Sequence, residues 1–222
     1  MAGPGKCFLV TGPPGVGKTT LIMKVFESLK VNPSLKLQGF YTRNHLFIFL
    51  FLPSPSHIYN VIFITTKWLV GFVGEIRRAG QRVGFEVVTL DGRTAPLASI
   101  DISTPESLRW PNVGKYKVDV ASFESLALPE LQVKEDTDLF IIDEVGKMEL
   151  FSSSFFPAVL RVLESNIPVL ASIPVPKFGR DIPEVARLRN HAGATCFTLS
   201  VSNRDAVREQ IRSQLEDMLT KH

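Results

Sequence analysis

Gly12-Pro13-Pro14-Gly15-Val16-Gly17-Lys18-Thr19 fills every fixed position of the phosphate-loop pattern G-x-x-x-x-G-K-S/T. No other stretch constrains the chain as much, because such a loop works only between a buried strand and the start of a helix. Both flanks fit. Cys7 to Thr11 (CFLVT) is short and apolar like a buried strand, and Thr20 to Leu29 (TLIMKVFESL) has apolar residues at helical spacing, with Gly and Pro confined to the loop. The glycines let the backbone curl so that successive N–H groups point inward as an anion nest, and the helix start adds the positive end of its dipole. Nucleotide phosphate is therefore expected against Gly12, Pro13, Pro14, Gly15, Val16, Gly17, Lys18, Thr19 and Thr20. Lys18 would reach the outer phosphates and the Thr19 hydroxyl would bind Mg²⁺.

A second stretch complements the loop. Leu139-Phe140-Ile141-Ile142 is a continuous apolar run that ends in Asp143-Glu144, the form of a Walker B strand. Asp143 is placed to hold Mg²⁺ directly or through water, and Glu144 to orient or deprotonate an attacking water. Alone the pattern is weak, since any buried strand can end in acid. Paired with the loop it describes a Mg²⁺-dependent nucleotide-phosphate site.

The remaining texture alternates strand-like and helical segments. Leu35 to Thr42, Arg82 to Leu90, Tyr116 to Val120, Asp138 to Asp143, Val169 to Ile173 and Thr195 to Ser200 read as strands. Ser122 to Leu131, interrupted by Pro129, Ser154 to Leu163, Ile182 to Asn190 and Asn203 to Leu219 read as helices, the last with Val207, Ile211, Leu215 and Leu219 at four-residue spacing. The expected class is α/β, a mainly parallel sheet flanked by helices with its ligand site at the carboxyl ends of the strands, plus an antiparallel strand addition over about residues 75–120. A length of 222 residues suits one domain, and 45% hydrophobic with 21% charged residues excludes wholesale disorder. The net charge of +3 is spread over scattered Lys and Arg, so no nucleic-acid partner is indicated. Cys7 and Cys196 both sit in apolar runs and are expected to be buried thiols of a reducing compartment. The opening MAGPGK offers no signal peptide, so the chain is expected to be cytoplasmic. His45, His57, His191 and His222 lack ligand spacing, which argues against a zinc site.

Residues 44–73 break this texture with an almost uncharged apolar segment. A membrane span is disfavoured because Pro53 to His57 and Lys67 divide it. A core hairpin with strands at Leu46 to Leu52 and Val61 to Thr65 is one reading. The other is an insertion foreign to the fold, which the abrupt shift in composition favours.

The motifs together resemble the THEP-type family of small P-loop nucleoside-triphosphatases. The resemblance rests on GPPGVGKT at Gly12 to Thr19, GFYT at Gly39 to Thr42, RVGFEVVTL at Arg82 to Leu90, VGKYKVD at Val113 to Asp119 and above all IDEVGKMEL at Ile142 to Leu150. SIPVPK at Ser172 to Lys177 and Ser202-Asn203-Arg204 add to it. It covers most of the chain outside about 43–74. It implies a P-loop NTPase core akin to P-loop kinases, Mg²⁺ as cofactor, and hydrolysis of ATP, GTP, CTP and UTP with loose base preference. By motif it gives Lys18 and Thr19 to phosphate and metal, Asp143 to the metal and Glu144 to catalysis. A Glu and Arg pair that follows GFYT in the family stands here at Glu75 and Arg77, displaced by the apolar segment.

Six further positions carry two readings each. Arg77 and Arg82 suit a transition-state cation or a solvated hairpin face. Lys147 and Glu149 suit contact with nucleotide or water, or a local ion pair. Asn203 and Arg204, before the last helix, suit a base or ribose contact, with Asn203 as a helix cap the alternative. The expected partners are nucleoside triphosphates, without nucleic acid or membrane, and the chain is expected to be a monomer. A nucleoside or nucleotide kinase on the same core, or a nucleotide-gated binding module, are the competing functions.

Overall fold

Why the phosphate loop holds its place follows from the strand before it. In the computed structural model, which describes residues 5–45, 83–100 and 104–220, strand β1 (Cys7–Thr11) is buried along its whole length. Around it run β2 (Leu37–His45), β3 (Gly84–Thr89), β4 (Thr94–Ser99), β5 (Asn112–Val113), β6 (Tyr116–Val118), β7 (Leu139–Asp143), β8 (Val169–Ser172) and β9 (Ala194–Thr198). The helices are α1 (Lys18–Leu29), α2 (Val120–Ala127), α3 (Phe155–Glu164), α4 (Pro183–Arg189) and α5 (Arg204–Leu219). The described strands form one sheet in the order β5-β6-β4-β3-β2-β7-β8-β1-β9.

From β2 to β9 the pairing is parallel, and β3 to β6 extend the β2 edge in antiparallel fashion. The expected parallel core with an antiparallel addition is therefore what forms. Side chains alternate across the two faces with the strand period of two. Phe8 and Val10 of β1 and Leu139 and Ile141 of β7 pack under α1 and α5, against Ile22, Val25, Ile211 and Leu215. Cys7 and Leu9, with Phe140 and Ile142, face the opposite layer, where Phe123 of α2, Phe155 and Val159 of α3 and Val185 of α4 lie. Two continuous apolar strands covered on both sides are what a parallel sheet requires.

Because β1, β7 and β8 run the same way, their carboxyl ends bring the phosphate loop, Asp143 and Ser172 to one edge of the sheet. Val145 N–H donates to Ser172 O at 2.9 Å and Ile173 N–H to Val10 O at 2.9 Å, which locks the three strand ends together. Expectation and structure differ at a few points. Pro129 ends α2 and opens a short 3-10 turn over Pro129–Leu131, since proline lacks the N–H a continuing helix needs. Cys7 is buried, and burial pushes its thiol up to about 12 with a smaller contribution from Cys196. Cys196 is exposed, because β9 is the edge strand. Strand β2 runs on to His45, into the start of the apolar segment. The expected hairpin strands at 46–52 and 61–65 lie outside the described residues, as do Glu75, Arg77 and Arg82.

Candidate active site

The turn from β1 into α1 depends on Gly17, whose φ of 100° lies in the left-handed region that favours glycine. Buried Val16 anchors the loop from below, while Pro13, Pro14 and Gly15 stand exposed. Val16 N–H donates to Pro13 O at 3.2 Å, and Leu21 N–H closes the first helical turn on Gly17 O at 2.9 Å. Lys18 folds back over the loop, its Nζ 3.5 Å from Gly12 O and 3.5 Å from Glu144 Oε2. The ammonium thus spans the loop and the end of the Walker B strand.

Asp143 is fully buried. Ser172 Oγ donates a short hydrogen bond to its Oδ1, while Oδ2 is buried without a hydrogen-bond partner. Burial pushes the carboxyl up to about 6 against the pull of the Ser172 and Thr19 hydroxyls; the Glu144 carboxylate adds to the rise and Lys18 opposes it. Thr19 is near enough to act on this carboxyl, yet its hydroxyl makes no hydrogen bond to Oδ2. A buried carboxylate oxygen with an open lone pair beside a hydroxyl suits a small hard cation that keeps most of its ligands from water and phosphate. The donor set fits Mg²⁺. Among the described residues no group of three or more His, Cys, Asp or Glu gathers into an all-protein metal cage, which that mode of binding does not need.

Beyond Asp143 the chain turns through Glu144, half-buried, and Gly146 to Glu149, which is only 5% exposed. Gly146 N–H donates to Glu149 Oε2 at 3.2 Å. A Cβ on Gly146 would stand 2.8 Å from Glu144 Oε1 and 3.1 Å from Glu149 Oε2, so two carboxyl groups close on one bare Cα. Burial first, and then the Glu144 carboxylate, push Glu149 up to about 8. Lys147 is exposed, and the local ion pair considered for Lys147 and Glu149 does not form, because the Glu149 side chain turns inward.

On the other side of β1, a cleft of about 400 Å³ opens between α1 and α5, lined in part by Gly15, Gly17, Thr20, Lys24, Arg204 and Arg208. The Arg204 guanidinium lies over Gly17, where a Cβ would be 3.7 Å from its Nε. Arg208 pairs with Asp205 at 3.0 Å. Asn203 precedes α5 but does not cap it with its side chain; its Oδ1 accepts from Ser200 N–H at 2.8 Å and its Nδ2 donates to Thr198 O at 2.9 Å. The amide is thus committed to the turn after β9. Val201 in that turn is 75% exposed.

The structure therefore gathers Gly12 to Thr20, Asp143 and Glu144 on one edge, with Arg204 beside the loop. Arg77 and Arg82 lie outside the described residues. Sequence reading gave Ser172 no role. Its signals are a place near the end of a strand-like apolar run and at the start of SIPVPK, and neither points to Asp143, 29 residues away.

Comparison with known proteins follows the same lines. The model of a family described as NTPase matches residues 7–46 and 66–212, leaving 47–65 between the two matched parts. The human cancer-related nucleoside-triphosphatase is 37% identical over 202 residues, covering 88% of this chain and 89% of its own. The nucleoside-triphosphatase THEP1 of Thermotoga petrophila is 34% identical over 204 residues, covering 91% of this chain and 89% of its own. The crystal structure of THEP1 from Aquifex aeolicus superposes with a TM-score of 0.67 at 32% identity, over 95% of this chain and 99% of that one.

Proposed function

The chain belongs to the NTPase family, and from that premise we propose that it hydrolyses ATP, GTP, CTP and UTP to nucleoside diphosphate and phosphate with Mg²⁺ as cofactor. The observation that carries the proposal is Glu144 Oε2 at 3.5 Å from Lys18 Nζ. A carboxylate base is thereby held beside the group that grips the outer phosphates. In this reading a water oriented by Glu144 attacks the terminal phosphorus, the bond from that phosphorus to the bridging oxygen breaks, and the water proton passes to Glu144. The nucleoside diphosphate leaves with the bridging oxygen. Arriving phosphate draws Lys18 away from Gly12 O, and the ammonium neutralises charge on the outer oxygens. The N–H groups of the loop from Gly12 to Thr20 hold the phosphates in line, which supplies positioning without further chemistry. Mg²⁺, held by Asp143 and Thr19, would add positive charge at the outer phosphate oxygens.

Strand order supports a direction for the nucleotide. Asp143 and Glu144 follow β7 on one side of β1, whereas Arg204 follows β9 on the other. The terminal phosphate then points toward β7 and the nucleoside toward the cleft between α1 and α5. Arg204 and Lys24 suit the inner phosphate and ribose, and the exposed face of Val201 suits any base. Asn203 is spent on backbone groups and Asp205 on Arg208, so the polar groups that would read a base edge are engaged elsewhere. That engagement supports the proposed loose base preference. The role of transition-state cation is proposed for Arg77 or Arg82 on the family resemblance alone.

The protein is proposed to act as a single cytoplasmic domain, monomeric and without nucleic acid or membrane. Among the described residues no helix is long and apolar enough to cross a membrane. The apolar segment at about 44–73 is taken as an insertion, a reading supported by the break in the family match at 47–65. Phosphate release from ATP, GTP, CTP and UTP, without any acceptor, tests the proposal on the full chain beside a chain lacking residues 44–73. Release from several triphosphates supports it. Release only when a nucleoside or nucleotide acceptor is added would make the protein a kinase.

A further inference from the structure

We propose that the cleft between α1 and α5 takes nucleotides that carry a further phosphate on the ribose, at its 2′ or 3′ oxygen, held by Lys24 and Arg208. The proposal rests on the direction given to the nucleotide above, with the nucleoside in that cleft. Its first support is the way the two helices present their charges. Strands β1 and β9 pair in parallel, so α1 and α5, which follow them, both start at the sheet edge that carries the phosphate loop. Thr20 and Lys24 stand four residues apart on α1, and Arg204 and Arg208 four apart on α5, so each pair lies on one face of its helix. All four line the cleft. Two rungs result. Thr20 and Arg204 form the one beside the loop, where the Arg204 guanidinium lies over Gly17. Lys24 and Arg208 form the other, about 6 Å further along the helices.

Charge gives the second support. The loop N–H groups, Lys18 and Arg204 already face the 5′-triphosphate, and a ribose with both hydroxyls free is neutral. In dinucleotide-binding α/β folds a carboxylate grips such a diol, whereas an arginine in its place accommodates a phosphate ester. The lining of this cleft has one carboxylate, Asp205, whose side chain is 86% exposed and turned onto Arg208. Against it stand Lys24, Arg204 and Arg208. Among the described residues Lys24 makes no ion pair, and Arg208 meets Asp205 through Nη1 at 3.0 Å, which leaves its Nε and Nη2 for another oxygen. An ion pair that open to water holds its cation weakly. The outer rung therefore carries two cations for which the triphosphate chain has no anion left. A phosphate ester on the ribose lies one sugar away from the inner phosphate, on the side where this rung stands.

The test measures calorimetric binding of ADP, adenosine 3′-phosphate 5′-diphosphate and its 2′-phosphate isomer to the full chain, which needs no turnover. One of the two isomers should bind about tenfold tighter than ADP. In the double variant Lys24→Ala, Arg208→Ala that ratio should fall below about twofold. The ratio within each protein is the readout, so a general loss of nucleotide binding cancels. Adenosine 5′-tetraphosphate against ATP is the control, because it adds the same charge at the other end of the chain and should gain less than about twofold. Equal binding of ADP and both isomers to the parent would overturn the proposal. So would a preference that survives in the double variant, or a tetraphosphate gain as large as that of the ribose phosphate, since charge alone would then explain it. If the double variant fails to fold, the parent's ranking against the tetraphosphate control decides. Phosphate release from Mg²⁺-ATP separates the two claims. Release with no preference for a ribose phosphate removes only this proposal, whereas a tenfold preference without any release removes the hydrolytic reading and leaves this one.

Discussion

Replacing Gly39 by Ala should weaken this fold far more than an ordinary glycine substitution in a strand. Gly39 is the first residue of the GFYT motif and pairs with Ile141 in the parallel register of β2 and β7. Its φ is +133°, and an added Cβ would stand 1.9 Å from Ile141 O and 2.8 Å from Ile141 C. Those are backbone atoms, which no rotamer change can move, so β2 must shift away from β7. A left-handed φ in a residue with a Cβ costs about 1–3 kcal/mol, and forced displacement in a packed interior costs about 1–3 kcal/mol more. A loss of about 4 kcal/mol is expected from the two together. For a domain of this size that lowers the melting temperature by about 10 °C. Gly92 supplies the control. It also has positive φ, +92°, but a Cβ there meets nothing within 4 Å. Gly92→Ala should therefore lose only about 1 kcal/mol. Urea titration of both variants at one pH, with slopes checked against the parent, gives the comparison. Equal losses in the two variants, or a Gly39→Ala loss under about 1 kcal/mol, would refute the steric argument and the strand register behind it.

The other predictions concern the site. Glu149 titrates at about 8 in the folded chain against 4.5 as a free side chain. Below 4.5 both states hold the proton; as pH rises the unfolded chain ionises first, so stability falls until the folded carboxyl ionises near 8. Without nucleotide, the parent should lose about 4 kcal/mol between pH 5 and 8.5 through this group, and Glu149→Gln should lack that loss in urea titrations. Arg204→Ala should raise KM by about tenfold to a similar degree for all four triphosphates, with kcat held, because it removes a contact to phosphate or ribose and none to a base edge. Ser172→Ala should raise the Mg²⁺ concentration for half-maximal activity by about tenfold, since the Asp143 carboxyl loses the hydroxyl that orients it, and Mn²⁺ titration in the presence of ADP should show the same shift.

How much of this was legible beforehand depended on sequence distance. The phosphate loop and its flanking strand and helix were readable because glycine spacing, apolar strand and helical periodicity are all local. Asp143 and Glu144 were readable as the acidic end of an apolar run, and the parallel core followed from alternating strands and helices. Ser172 was not, because its role exists only once β8 lies between β1 and β7. Glu149 carries two readings in the sequence, contact with nucleotide or water and a local ion pair, and the turn at Gly146, which aims the carboxyl inward, removes the ion pair. The apolar run around Cys196 predicts a buried thiol, but periodicity does not say which strand ends up at a sheet edge. The need for glycine at position 39 likewise comes from Ile141, a residue 102 positions away.

Binding and turnover of Mg²⁺-ATP by Glu144→Gln, measured beside Lys18→Ala, test the central claim most directly. The Gln variant should bind the nucleotide as the parent does while phosphate release falls by about a hundredfold or more. Lys18→Ala should lose binding and release together, because it removes contacts made before the reaction begins. Release at the parental rate from Glu144→Gln would contradict the account and give the water another partner.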